Sequence, residues 1–195
     1  AHCLQRNSNR SNALIIGHSD AFAPWIDQEV DAIQKLFPNI KVFAGDSARS
    51  ETLLENSSDA DVIHISSHGR FLPSQPFQSG IKLSDGWFTL PQIYQLHLNS
   101  KLVTLSGCET GTSEVTAGDD LVGLTRGFLY AGASSLLVGL WRVFDVSTAT
   151  FMKHFYAQLT SGASLSDSWQ HAILRTKAEW PHPYHWAPFV LIGKT

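Results

Sequence analysis

Asp61-Val62-Ile63-His64-Ile65-Ser66-Ser67-His68-Gly69 is a short apolar run that ends abruptly in small and polar residues. Its hydrophobic positions do not alternate with polar ones, as they would in a strand with one wet face. Such a run predicts a strand buried on both sides, the mark of a parallel sheet between helical layers. Leu102-Val103-Thr104-Leu105-Ser106-Gly107-Cys108 repeats the pattern forty residues on. Further runs of strand length occur at Ala13 to Gly17, Ile40 to Ala44, Ser135 to Trp141 and Phe189 to Ile192.

Between these runs the spacing turns helical. Trp25 to Phe37 carries Ile26, Val30, Ile33 and Phe37 on one face and stops at Pro38. Ser50 to Ser57, Asp119 to Tyr130 and Val146 to Leu159 follow the same logic. Leu165 to Ala178 starts behind Ser164, with Asp167 three residues on as in a capping box. Between Phe71 and Ser100, Ile81 to Leu83 and Trp87-Phe88 flank Asp85-Gly86, which predicts a hairpin with a two-residue turn. The expectation is a three-layer α/β fold: a mostly parallel six-stranded sheet, helices on both faces and a small β-hairpin insertion.

Size and composition agree with one such domain. The 195 residues are 43% hydrophobic, 16% charged and 11% aromatic, with a formal net charge of −3. A chain this long buries roughly 70% of its unfolded surface and needs no covalent staple. The charge gives no basic face for nucleic acid. Two cysteines, Cys3 and Cys108, exclude a disulfide scaffold and fit a reducing, cytoplasmic setting. Leu121 to Trp141 has the length of a membrane span, but Arg126, its glycines and Ser134-Ser135 mark it as helix, turn and strand. We expect residues 1–12 to be a polar tail or linker, residues 13–195 to be the domain, and the chain to be part of a longer protein.

Ligands of open α/β sheets bind beyond the carboxyl ends of the strands. His68 and Cys108 end two such strands, and if those strands are neighbours the two side chains emerge side by side. An imidazole beside a thiol favours a nucleophilic thiolate, and Gly69 permits close approach of a backbone N–H to a developing oxyanion. Spacing alone leaves the plainer alternative open, in which Cys108 is a small buried hydrophobe.

Several motifs in order resemble the CHAT peptidases, relatives of caspases and separases. They are Asp61 to Gly69, Leu83 to Leu90, Leu102 to Gly111, Gly123 to Ala133, Leu140 to Asp145 and His182 to Phe189. The resemblance runs from Asn12 to the C-terminus. It implies His68 as general base and Cys108 as nucleophile, with the Gly69 and Cys108 backbone N–H groups holding the oxyanion. The implied activity is a cysteine endopeptidase acting on a protein substrate, regulated by another segment of its parent chain, with neither cofactor nor metal. Two other readings stay open: a catalytically silent caspase-like interaction module, and a small-molecule thiol hydrolase.

The resemblance also draws the specificity pocket partly from the loop Trp141-Arg142-Val143-Phe144-Asp145. Arg142 suits an acidic residue before the scissile bond and Asp145 a basic one; we expect Asp145 to be the reader, although it also stands where a helix N-cap would. Asp20 opens onto the same edge and is expected chiefly to cap the following helix. His64 is expected to be a satisfied core residue, Glu109 to solvate its loop, and His182 and His185 to sit in a packed turn. No set with zinc-site spacing is present.

Overall fold

A computed structural model describes residues 11–21, 23–72, 74–107, 119–141 and 145–194; of residues 119–122 and 145 it describes the backbone only. In chain order the elements are β1 (Asn12–Gly17), α1 (Ile26–Gln34), β2 (Asn39–Ala44), α2 (Ser50–Asn56), β3 (Val62–Ser66), β4 (Gly69–Arg70), β5 (Gly80–Leu83), β6 (Gly86–Thr89) and α3 (Leu90–Ile93). They continue with β7 (Leu102–Ser106), α4 (Asp119–Tyr130), β8 (Ser135–Gly139), α5 (Asp145–Thr160), α6 (Leu165–Glu179) and β9 (Phe189–Gly193). Six strands form one sheet in the order β2-β1-β3-β7-β8-β9. All its pairings are parallel except β8 with β9.

The runs without alternation are buried on both faces, as a covered sheet requires. Successive residues of β3 feed opposite cores: Ile63 and Ile65 pack with Leu53, Phe88, Leu124 and Phe128. Val62 packs on the other face with α1, α5 and α6 through Val30, Ile33, Phe155, Tyr156 and Ala172. Side chains alternate along a strand, so His64 and Ser66 share the α1/α5 face with Val62, and on β7 Thr104 and Ser106 share it with Leu102. That parity decides what lies under the site.

Two local details differ from the expectation. The hairpin pairs Leu83 with Gly86, so its turn residues are Ser84-Asp85 and not Asp85-Gly86. Asp85 is instead committed to α2, accepting from the Ser50 backbone N–H and hydroxyl at the helix start. The hairpin also gains a third strand, β4, which begins at Gly69 immediately after His68. Long-range pairing of two residues leaves no periodic trace. The short α3, with its Thr89/Gln92 capping box, is likewise too brief to show in the spacing.

Gly132 closes α4 with φ of 112°. The Ala133 N–H reaches back to the Phe128 carbonyl and the Gly132 N–H to the Leu129 carbonyl, the paired bonds of a Schellman end. A Cβ here would lie 2.2 Å from the Leu98 carbonyl oxygen. Gly132→Ala is therefore expected to destabilise the fold by about 2 kcal/mol or more, from the left-handed backbone penalty plus the clash. A melting curve checks this, with a shift of about 4 °C or more expected for a domain of this size.

Candidate active site

The strands that lead to positions 68 and 108 are aligned by register. β3 and β7 pair in parallel from Val62↔Leu102 to Ser66↔Ser106, so both chains leave the same edge at the same height. The Ser67 N–H donates to the Ser106 carbonyl one step further, at 3.1 Å. Gly107 then turns away with φ of 93°, and a Cβ on it would stand 2.9 Å from the Ser67 carbonyl oxygen. The glycine before Cys108 is thus required by close approach of the two loops. Cys108, Glu109, Thr110 and Gly111 themselves lie outside the described residues.

His68 is almost buried, at 9% exposure, and its ring is oriented. Its Nε2 stands 3.0 Å from Asp20 Oδ1, an oxygen that also accepts from the Ala23 backbone N–H at 3.0 Å. Asp20 therefore shapes the entry to α1, as its sequence position suggests, and also fixes the imidazole. Sequence reasoning missed this pairing. The available signal was Asp20's position three residues past the end of β1, whose pairing with β3 carries it to the His68 edge. The carbonyl of His68 accepts from the Lys82 N–H at 2.7 Å, so the β5 strand holds the backbone from the other side. Gly69, as the first residue of β4, is buried beside it.

Below this edge runs a buried polar chain that sequence reasoning also missed. The Ser66 hydroxyl donates to Glu29 Oε2 at 2.6 Å, and His64 Nε2 stands 3.3 Å from Glu29 Oε1. His64 Nδ1 is 3.1 Å from the Tyr156 hydroxyl, which donates to Thr104 Oγ1 at 2.7 Å. Burial pushes the Glu29 carboxyl up, but the His64 imidazole and the Ser66 and Ser106 hydroxyls together hold it below the ordinary glutamate value. Burial pushes the Tyr156 phenol strongly up, so it stays a donor. His64 is the core residue expected of it, but its partner is a carboxylate. Glu29 sits among helical positions that read as an apolar face, and only the tertiary contact reveals its burial.

The specificity residues are only partly described. Trp141 lines the cleft next to His68, and its indole N–H donates to the Tyr184 carbonyl at 3.1 Å. That anchors it on the turn containing His182 and His185. In the turn, His182 Nδ1 accepts from the Tyr184 N–H and His185 Nδ1 is 3.1 Å from the Ser147 hydroxyl. Asp145 is the first residue of α5, not the residue before it. Arg142 lies outside the described residues, as do Cys3 and most of the tail. Among the described residues, no three His, Cys, Asp or Glu side chains gather as a metal set, and no helix is long and apolar enough to cross a membrane.

The sheet order and the shared β3/β7 edge define a caspase-like α/β fold, the architecture on which a class of cysteine peptidases is built. Gingipain R, an Arg-specific cysteine proteinase, superposes over 96% of this chain and 47% of its own, with a TM-score of 0.65 at 8% identity. Separase from the Saccharomyces cerevisiae separase–securin complex matches 96% of this chain and 12% of its own, with a TM-score of 0.60 at 16% identity. Identities this low show a common fold and no more. Residues 2–194 match the CHAT domain, and the chain belongs to that family. Tetratricopeptide repeat protein 28 of Mus musculus is 40% identical over 107 residues, and that of Homo sapiens 37%. The match covers 54% of this chain but only 4% of the length of those relatives.

Proposed function

We propose that this domain is a cysteine endopeptidase in which His68 activates Cys108. The observation that supports the reading is the β3/β7 register, which ends the strands preceding residues 68 and 108 at one edge, together with the Asp20 contact that orients the imidazole. With the Nε2 edge of His68 turned to Asp20, this reading assigns the thiol proton to Nδ1. The thiolate attacks the peptide carbonyl carbon, and the Gly69 and Cys108 N–H groups hold the oxyanion. Collapse breaks the C–N bond, the imidazolium protonates the departing amine, and a thioester remains. Water activated by the neutral imidazole then hydrolyses it, releasing the acid and restoring the thiol.

Alkylation of Cys108 tests the activation step. Its rate should rise with pH through a low-lying thiol titration in the native chain and revert to ordinary thiol behaviour in His68→Ala. Identical profiles in the two proteins would remove the dyad. Cleavage of a denatured protein mixture then separates an endopeptidase from a small-molecule thiol hydrolase. The tetratricopeptide repeat relatives are consistent with a longer parent, and in this reading another segment of that parent regulates the domain. They equally suit a silent interaction module, for which no cleavage is expected under any condition.

Asp20 contributes by holding the ring, so Asp20→Asn is expected to lower kcat at least tenfold with KM little changed; a steady-state comparison measures it. Cleavage is expected after a basic residue. Asp145, at the start of α5, is the acid that the family resemblance places beside the pocket, with Trp141 as a wall. Asp145→Ala should lower kcat/KM at least tenfold, roughly one charge-assisted bond of about 1.5–3 kcal/mol, without changing Cys108 alkylation. A peptide-library profile dominated by Asp before the cut would transfer the role to Arg142.

A further inference from the structure

The small sheet β4-β5-β6 packs on the side of the main sheet away from α1. Its inward residues Ile81, Leu83 and Phe88 join the core of Ile63 and Ile65, whereas Trp25, Ile26 and Phe189 in the cleft beside His68 belong to the core on the α1 face. Side chains alternate along a strand, so Lys82 and Trp87, directly paired across β5 and β6, share the outer face. Arg70 of β4 joins them there. Its guanidinium lies 4.2 Å from the centre of the Trp87 ring, and the Lys82 ammonium lies 5.7 Å from the same centre.

Two cations held on one indole repel each other, and neither has an acidic partner among the described residues. The chain as a whole is acidic, with a net charge of −3. Yet the hairpin's own acid, Asp85, is committed to Ser50 at the start of α2. The ring contact steadies both cations, and Arg70 Nε donates to the Gln78 carbonyl at 2.9 Å. The terminal nitrogens of the guanidinium and the ammonium are left as donors, an arrangement complementary to carboxylates. Phe77, next to Gln78 in the chain, is 67% exposed and adds apolar surface beside the charges. Aromatic and arginine side chains are the usual anchors of protein interfaces.

We infer that this outer face docks an acidic segment of a partner protein, extended and with two carboxylates separated by one residue. Alternate residues of an extended chain stand about 6.6 Å apart on one side, a spacing suited to two cations that share a ring. The backbone links this face to the candidate site: the Lys82 N–H donates to the His68 carbonyl at 2.7 Å, and Gly69 pairs with Ile81. A partner seated on Arg70 and Lys82 therefore steadies the segment that carries the imidazole. That coupling rests on the peptidase reading above; the docking itself does not.

The test uses fluorescein-labelled octapeptides of threonine and leucine that carry two glutamates, either separated by one threonine or adjacent, and a third peptide with glutamines in place of the separated pair. Anisotropy titrations are expected to show saturable binding of the first peptide, at least tenfold tighter than of the other two and weakened by salt. Combining Arg70→Gln with Lys82→Gln should raise its Kd at least tenfold with little change in melting temperature. Absence of saturable binding, equal binding of the three peptides, or an unchanged Kd in the double variant overturns the inference. Should that variant fail to fold, Lys82→Gln alone decides, since a raised Kd supports the face and an unchanged one overturns it. In a cleavage assay the bound peptide is expected to raise kcat with KM unchanged. An unchanged kcat overturns the coupling to His68, and competition with substrate overturns a face separate from the cleft. Binding that depends on Arg70 and Lys82, in a protein that cleaves no substrate, leaves the docking face standing and removes the peptidase reading instead.

Discussion

Replacement of Cys108 by alanine is expected to abolish proteolysis, and His68→Ala to do the same, each while the melting temperature stays near that of the parent. Both positions follow strands that end at Ser66 and Ser106, and the described chain beyond is braced by backbone bonds such as Ser67 to Ser106 and Lys82 to His68. Nucleophile and base act as one unit, because without the imidazole the thiol is mostly protonated and without the thiol there is nothing to activate. The double variant should therefore be no slower than either single one, the non-additivity typical of such pairs. Activities compared on one protein substrate measure this, with Cys3 also replaced so that Cys108 is the sole thiol. Substantial cleavage by Cys108→Ala would end the cysteine-peptidase reading.

The second large effect is on stability and comes from Glu29. Glu29→Ala removes a buried carboxylate that His64 and Ser66 both face, leaving an imidazole, a hydroxyl and a void inside the sheet–helix interface. Breaking one side of a buried pair costs about 3–5 kcal/mol. The lower end applies here, because the imidazole keeps its contact with the Tyr156 hydroxyl. The pH dependence has a definite sign. The Glu29 carboxyl is held below its ordinary value in the fold, so between the two values the unfolded chain binds more protons and stability rises with pH. The contribution is complete above the ordinary glutamate range and is lost as pH falls through the folded value. Urea unfolding of both proteins at neutral and acid pH should show the gap between them narrowing in acid. A gap that stays constant or widens would mean that the carboxyl is not ionised in the fold.

Asp20 and Glu29 show where reading residues along a chain stops. Asp20 is legible as the start of a helix because a turn-forming acid before an amphipathic run is a local event. Its bond to His68 joins residues 48 apart and exists only because β1 and β3 are neighbours. Glu29, within the Ile26–Gln34 helix, has a helical spacing that does not distinguish a solvated acid from one turned under the sheet. Only the packing of α1 against β3 and α5 decides that.

The sequence by itself determined the class of architecture, the existence and type of the long elements, and the position of His68 just past a strand end. Those are consequences of hydrophobic period, turn chemistry and chain direction, all carried by neighbouring residues. The hairpin turn falls one residue earlier than the Asp85-Gly86 pair suggests, because a glycine signal does not fix the register of two strands. The tertiary structure alone decided the strand order, the third strand added to the hairpin at Gly69, the Asp20–His68 contact and the buried chain from Ser66 through Glu29 and His64 to Tyr156. Each depends on which side chains meet across many intervening residues, and burial in that shared interior gives those meetings their strength.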